Sequence, residues 1–78
     1  MMTKPEFLRL LEGQMEIPEG SLNGNERLAD IEGWDSMAAL LFMALADEKL
    51  GVTVVGNDIA KSRTISDLLA LLGERLAA

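Results

Sequence analysis

Cysteine and histidine are both absent from this 78-residue chain, and those two absences remove most of the chemistry a small protein performs alone. Without cysteine there is no disulfide, no thiolate metal ligand and no indication of redox compartment. Without histidine a metal would have to be held by carboxylates alone, and no D-x-D-x-D-G loop is present to arrange them. No Ser-His or Cys-His pair can form. Lysine is the remaining candidate base, and Lys4, Lys49 and Lys61 are scattered along the chain. General acid–base chemistry calls on a group titrating near neutral pH. The expectation is a protein without catalytic or metal-ligating residues, one that enzymes work on.

Cations are scarce too. Seven Lys and Arg against thirteen Asp and Glu leave a net charge of −6 and a pI near 4.4. That balance argues against nucleic acid, which needs a basic footprint. It suits basic partner surfaces and fast electrostatic encounter, and it serves simple solubility equally well. The apolar run from Met37 to Ala46 is too short to span a bilayer, and no apolar segment follows Met1–Glu6 to make a signal peptide. A cytoplasmic monomer with no membrane span is expected. The length allows one small domain, residues 1–78, whose apolar core is marginal without staples. Stability must come from well-packed helices.

The chain supplies them. Thr3-Lys4-Pro5-Glu6 is a helix start with a capping threonine, a glutamate three residues on, and proline in the first turn. Phe7, Leu10 and Leu11 follow at i, i+3, i+4 spacing, and Gly13 is a plausible stop, giving a first helix over about 3–13. Residues 14–34 carry Pro18, Gly20, Gly24, Gly33, Asn23 and Asn25 and read as a long loop. A loop of that length signals a missed element or a function. One helical turn near Asn25–Ala29 is expected, with Ile17, Leu22, Leu28 and Ile31 folding inward.

A second helix begins at Asp35 or Ser36, both good N-cap types, and runs to about residue 50, with Gly51 just past its end. Its first ten residues are apolar on every face, more than a domain of this size can bury. Ala39, Phe42, Met43, Ala46 and Leu50 are expected to enter the core. Met37, Leu40, Leu41 and Ala44 are then left as an exposed apolar stripe of the kind that docks partners, unless the long loop folds over it. Val52–Val55 reads as an extended connector, 57–62 as a short third helix, and Thr64-Ile65-Ser66-Asp67 as a second capping box. Ile65, Leu68, Leu69, Leu72 and Leu76 predict a fourth helix over about 64–77.

This order of elements, with Gly33-Trp34-Asp35-Ser36-Met37 at its centre, resembles the acyl carrier protein and peptidyl carrier protein family over nearly the whole chain. The tripeptide Asp35-Ser36-Met37 alone occurs by chance. Joined to the Asp47-Glu48-x-Leu50-Gly51-Val52 helix end, the Thr64-Ile65-x-x-Leu68 opening, the length and the acidity, it carries the resemblance. The resemblance implies an all-α four-helix bundle of acyl-carrier type with a long first loop and a short third helix. Ser36 would receive 4′-phosphopantetheine from coenzyme A, transferred by a phosphopantetheinyl transferase, with Asp35 flanking the site. The arm's thiol would hold an acyl group as a thioester, so a chain without a thiol would borrow one. Met37, Leu40, Leu41 and Ala44 would form the docking face, with Asp47 and Glu48 below it and Val54, Asp58 and Ile59 at its edge. Partners would be a loading ligase and downstream biosynthetic enzymes of fatty acid, polyketide or other secondary metabolism.

Position alone gives Ser36 a plainer role as an N-cap worth about 1 kcal/mol. The competing reading is therefore a helical interaction domain that carries nothing. Within carriers, an aminoacyl or peptidyl cargo stays open, because the loading enzyme chooses the cargo. Ala38 and Leu41 stand where carriers for bacterial fatty acid synthesis commonly have acids. Together with Gly33-Trp34 they predict more apolar, less salt-sensitive recognition and a dedicated carrier of a specialised pathway.

Overall fold

Thr3 opens the first helix through a reciprocal pair of hydrogen bonds. In the computed structural model, which describes residues 1–77, Thr3 Oγ1 accepts from the Glu6 N–H at 3.2 Å, and the Thr3 N–H donates to Glu6 Oε1 at 2.8 Å. Helix α1 runs Lys4–Met15, past Gly13. A lone glycine inside a helix costs only about 1 kcal/mol. The helix ends instead at Glu16, which adopts a left-handed φ of 59° two residues before Pro18.

The buried face of α1 is Phe7, Leu8 and Leu11, with Leu10 36% exposed. Leu8 therefore takes the place expected of Leu10. Both residues satisfy helical spacing around Phe7 and Leu11. What decides between them is the loop after α1, which folds back over the Leu8 side and also buries Glu12, 1% exposed. Glu12 accepts from the Leu22 N–H at 2.7 Å and from the Gly20 N–H at 3.1 Å. Arg9 Nη2 donates to Glu12 Oε2 at 3.0 Å and to the Leu22 carbonyl at 2.6 Å. Arg9 Nε lies 2.7 Å from Glu12 Oε1 without hydrogen-bonding alignment, so that contact is ionic only. A buried carboxylate thus ties the long loop to α1.

Farther on, Glu26 accepts from the Asn23 and Gly24 amides, and Ser66 donates both its N–H and its hydroxyl to the Gly24 carbonyl. The loop then makes one 3-10 turn at Leu28–Asp30. An antiparallel bridge joins Arg27 to Thr64. Leu22 and Leu28 are buried, and Ile17 and Ile31 pack against the core half-buried.

Helix α2 spans Ser36–Leu50, α3 Gly56–Lys61 and α4 Ile65–Ala70. The described residues form four helices and no strand, the all-α architecture expected. Thr64 and Asp67 close a second capping box. Helix α4 is much shorter than the leucine spacing predicts. Leu71 and Leu72 tighten to bonds three residues back, and Gly73 takes a left-handed φ of 55°, which an L side chain resists. A 3-10 turn at Gly73–Arg75 follows. The chain then returns to the amino terminus, where Ala77 pairs with Thr3. Leu72 and Leu76 remain buried, so their spacing reports burial without reporting continuous helix.

At the centre, Phe7 of α1 meets Phe42 of α2 edge to face, ring centroids 5.8 Å apart at 82°, both rings fully buried. Helix α2 is turned relative to expectation. Ala38, Phe42, Leu45 and Ala46 are buried, while Ala39, Met43 and Leu50 are only half-buried. With apolar residues on every side of its first ten positions, α2 offers no polar stripe to mark its outer face. Its carboxyl end is closed by Arg75 Nη1, which donates to the Leu50 carbonyl at 3.1 Å.

Candidate functional site at the start of the second helix

The turn into α2 is set by Gly33, whose φ of 90° suits glycine. It brings Trp34 half-buried against the core and leaves Asp35 extended as the N-cap. Asp35 Oδ1 accepts from the Ala38 N–H at 2.9 Å. Ser36 is therefore the first helical residue, not the cap, and it is exposed. The plainer role open to Ser36 in the sequence is filled by its neighbour. Among the described residues the amides of Ser36 and Met37 have no acceptor, and with the helix dipole they favour an anion at this end.

Beside Ser36 lies an open cleft of about 410 Å³, walled by Trp34, Ala39 of α2, Leu28 and Ala29 of the 3-10 turn, and Ile59 and Ala60 of α3. It opens to the surface, beside an interior filled by Phe42, Leu45 and Ile59. A larger concavity of about 720 Å³ sits on the other side of the 28–34 segment, with Ile17, Leu22 and Ile31 within and Glu26, Asp30 and Glu32 around it. The Glu26 carboxyl is raised by partial burial, but the amides of Asn23 and Gly24 outweigh this and hold it below its ordinary value.

Of the residues expected at a docking face, Met37 is 62% and Leu40 58% exposed. Ala44, Asp47, Glu48 and Asp58 are exposed and Leu41 is half-buried. Val54 and Ile59 are different. They are 8% and 7% exposed and belong to the core, so their expected place at the edge of the surface is corrected. Valine and isoleucine in a short connector and a short helix have too little helix of their own to stay apart from the bundle, and they fill it instead. Ala38 is also buried, at 2%. The absence of an acid there reflects packing and says nothing about partners. The cleft walls and the Glu12 tie carry no signature in the sequence, because each is made by residues distant along the chain.

A family model described as "Phosphopantetheine attachment site" matches residues 5–72. The chain belongs to this family of carrier domains. It is 30% identical over 67 residues to the acyl carrier protein MbtL of Mycolicibacterium paratuberculosis, covering 86% of this chain and 75% of that one. No solved structure matches it. The start of α2 fits the group such a carrier domain attaches. It offers an accessible hydroxyl, two adjacent amides for phosphate oxygens, and a neighbouring cleft in which Trp34, Ala39 and Ile59 stand beside the polar Asp35, Ser36 and Ser62. No helix among the described residues is long and apolar enough to cross a membrane.

Proposed function

We propose that this carrier domain is an acyl carrier protein and that Ser36 is its attachment residue. The observation that supports the reading is the division of labour at α2, where Asp35 caps the helix and leaves the Ser36 hydroxyl exposed beside two free amides. In the attachment reaction Ser36 loses its hydroxyl proton to a base of the transferase, and its Oγ forms a bond to the β-phosphorus of coenzyme A. The P–O bond of the pyrophosphate breaks, and adenosine 3′,5′-bisphosphate leaves with the electron pair. Asp35, as the cap of α2, would keep the first turn in place, and the amides of Ser36 and Met37 would be the groups that hold the attached phosphate. When bound, the group supplies a terminal thiol that carries an acyl group as a thioester.

The exposed Met37 and Leu40 flank Ser36 and make an apolar surface for the transferase, the loading ligase and later enzymes, with Asp47, Glu48 and Asp58 as its acidic surround. A helical docking domain that carries nothing would use the same surface, but it has no use for a serine relieved of capping.

The test is chemical. The protein is modified with a phosphopantetheinyl transferase and an acyl-coenzyme A, then treated with neutral hydroxylamine. Loss of the acyl group as its hydroxamate, with the rest of the added mass retained on the peptide containing Ser36, is the expected result. Acyl label that resists hydroxylamine, or that maps to another residue, refutes the proposal.

A further inference from the structure

The cleft beside Ser36 does not end at α3. It shares Leu28, Ala29 and Ser62 with a second concavity of about 410 Å³ bordered by Arg27, Arg63 and Thr64. One trough therefore runs from Ser36 along the 3-10 turn to the bridge between Arg27 and Thr64. Its far end is basic in a chain of net charge −6.

The protein's other arginines are spent elsewhere. Arg9 is held by Glu12, and Arg75 closes α2 on the Leu50 carbonyl. Among the described residues, no carboxylate lies within 4.0 Å of the Arg63 guanidinium. The neighbouring acids are mostly committed to main-chain amides. Asp67 Oδ2 accepts from the Arg63 and Thr64 N–H groups at 2.9 and 3.2 Å and also feels the Arg63 charge at longer range, and Asp35 accepts from Ala38. Asp30 stands 3.9 Å from Arg27 in a loose, exposed pair. The main chain at this end is fixed, since the Leu28 N–H donates to the Arg63 carbonyl at 2.8 Å and the Ile65 N–H to the Glu26 carbonyl at 3.0 Å.

We propose that the basic end of this trough receives the terminal carboxylate of the cargo, so that the domain carries acyl groups ending in a carboxylate and holds them along its own surface. The proposal rests on Ser36 being the attachment residue. A guanidinium fork pairs with a carboxylate through two parallel hydrogen bonds, which an alkyl terminus cannot form. An exposed pair of this kind is weak in free solution. A cargo tethered at Ser36 meets it at high effective concentration. Arg63 is the principal anchor and Arg27 the second, because Asp30 stands within 4.0 Å of Arg27 whereas Asp67 acts on Arg63 only from beyond that distance.

The test compares two cargoes of equal length on the full chain, glutaryl and pentanoyl, each installed from its coenzyme A thioester and confirmed by intact mass. The readout is amide chemical shift by ¹H–¹⁵N correlation. The glutaryl form is expected to move the Leu28, Ala29, Ser62, Arg63 and Thr64 resonances where the pentanoyl form does not. Arg63→Gln should cut those shifts by about twofold to fivefold, the range an exposed ion pair commands, as should raised salt. Arg63 takes part in the fold through its backbone, so this variant keeps its helices, and Arg27→Gln gives a smaller reduction. Equal shifts from the two cargoes, or glutaryl shifts that Arg63→Gln leaves unchanged, overturn the proposal. A sample that gains no mass at Ser36 instead fails the attachment reading and takes this one with it.

Discussion

Replacing Glu12 by alanine removes the carboxylate that ties the loop to α1, and the structure sets the size of the loss. The Leu22 amide, in a residue 1% exposed, loses its 2.7 Å acceptor with no water to replace it. An orphaned buried donor costs about 1–3 kcal/mol, and a hydrogen bond to a charged group contributes about 1.5–3 kcal/mol. Gly20 is exposed and recovers its bond from solvent. The Arg9 side chain is 34% exposed, so its charge turns outward and is not stranded. The usual cost of about 3–5 kcal/mol for breaking a buried ion pair is therefore an upper limit, and about 2–4 kcal/mol is expected. A domain of this length has about 4–12 kcal/mol in total. Urea unfolding followed by far-ultraviolet circular dichroism should show a lower midpoint with an unchanged slope. Hydrogen exchange should rise at Leu22 before it rises at Phe42. A midpoint equal to wild type would refute the claim that this carboxylate holds the loop.

Other outcomes follow from the same packing. Phe42→Ala, at the edge-to-face contact with Phe7, should cost about 3–5 kcal/mol in the same urea experiment, and an unchanged midpoint would mean that this face of α2 is not buried. Leu40→Glu should leave stability within about 0.5 kcal/mol, as surface changes do. It should also weaken transferase binding by about tenfold, or roughly 1.4 kcal/mol, as loss of an apolar anchor does; an unaltered KM for the carrier would remove Leu40 from the docking surface. Glu6 and Asp67 are held below their ordinary values, chiefly by the amides of Thr3 and of Arg63 and Thr64 respectively, and Glu26 is lowered as described above. Their stabilising contribution is complete above the ordinary carboxylate range and is lost as pH falls through the depressed folded values. Acid titration of the melting temperature should therefore fall on the acid side of that range, and a flat profile there would count against the capping boxes.

The parts of this fold legible in the sequence are those decided locally. Thr3 and Glu6, and Thr64 and Asp67, signal helix starts within four residues, and the caps form as their chemistry dictates. Gly51 marks the end of α2 for the same reason. The parts that were illegible are decided by distant contacts. Leu8 and Leu10 are equivalent by periodicity until the returning loop covers one of them. Glu12 reads as an ordinary surface acid, because nothing near it announces that Leu22 and Gly20 will deliver amides to it. The rotation of α2 is hidden by its uniform apolarity. At the candidate site the Asp35-Ser36 step was visible as a helix start, but two cap-forming residues in succession leave open which one caps. Only the Asp35–Ala38 bond decides it, and that decision frees Ser36. The trough from Ser36 to Arg63 was invisible, since its walls come from the loop, α2, α3 and the segment before α4.

The measurement closest to the central claim is intact mass after incubation with coenzyme A and a broad-specificity phosphopantetheinyl transferase, run on wild type and on Ser36→Ala with matched helix content. Wild type is expected to gain one phosphopantetheine and the variant none. A folded wild type that gains nothing, or a variant that gains as much, would contradict it.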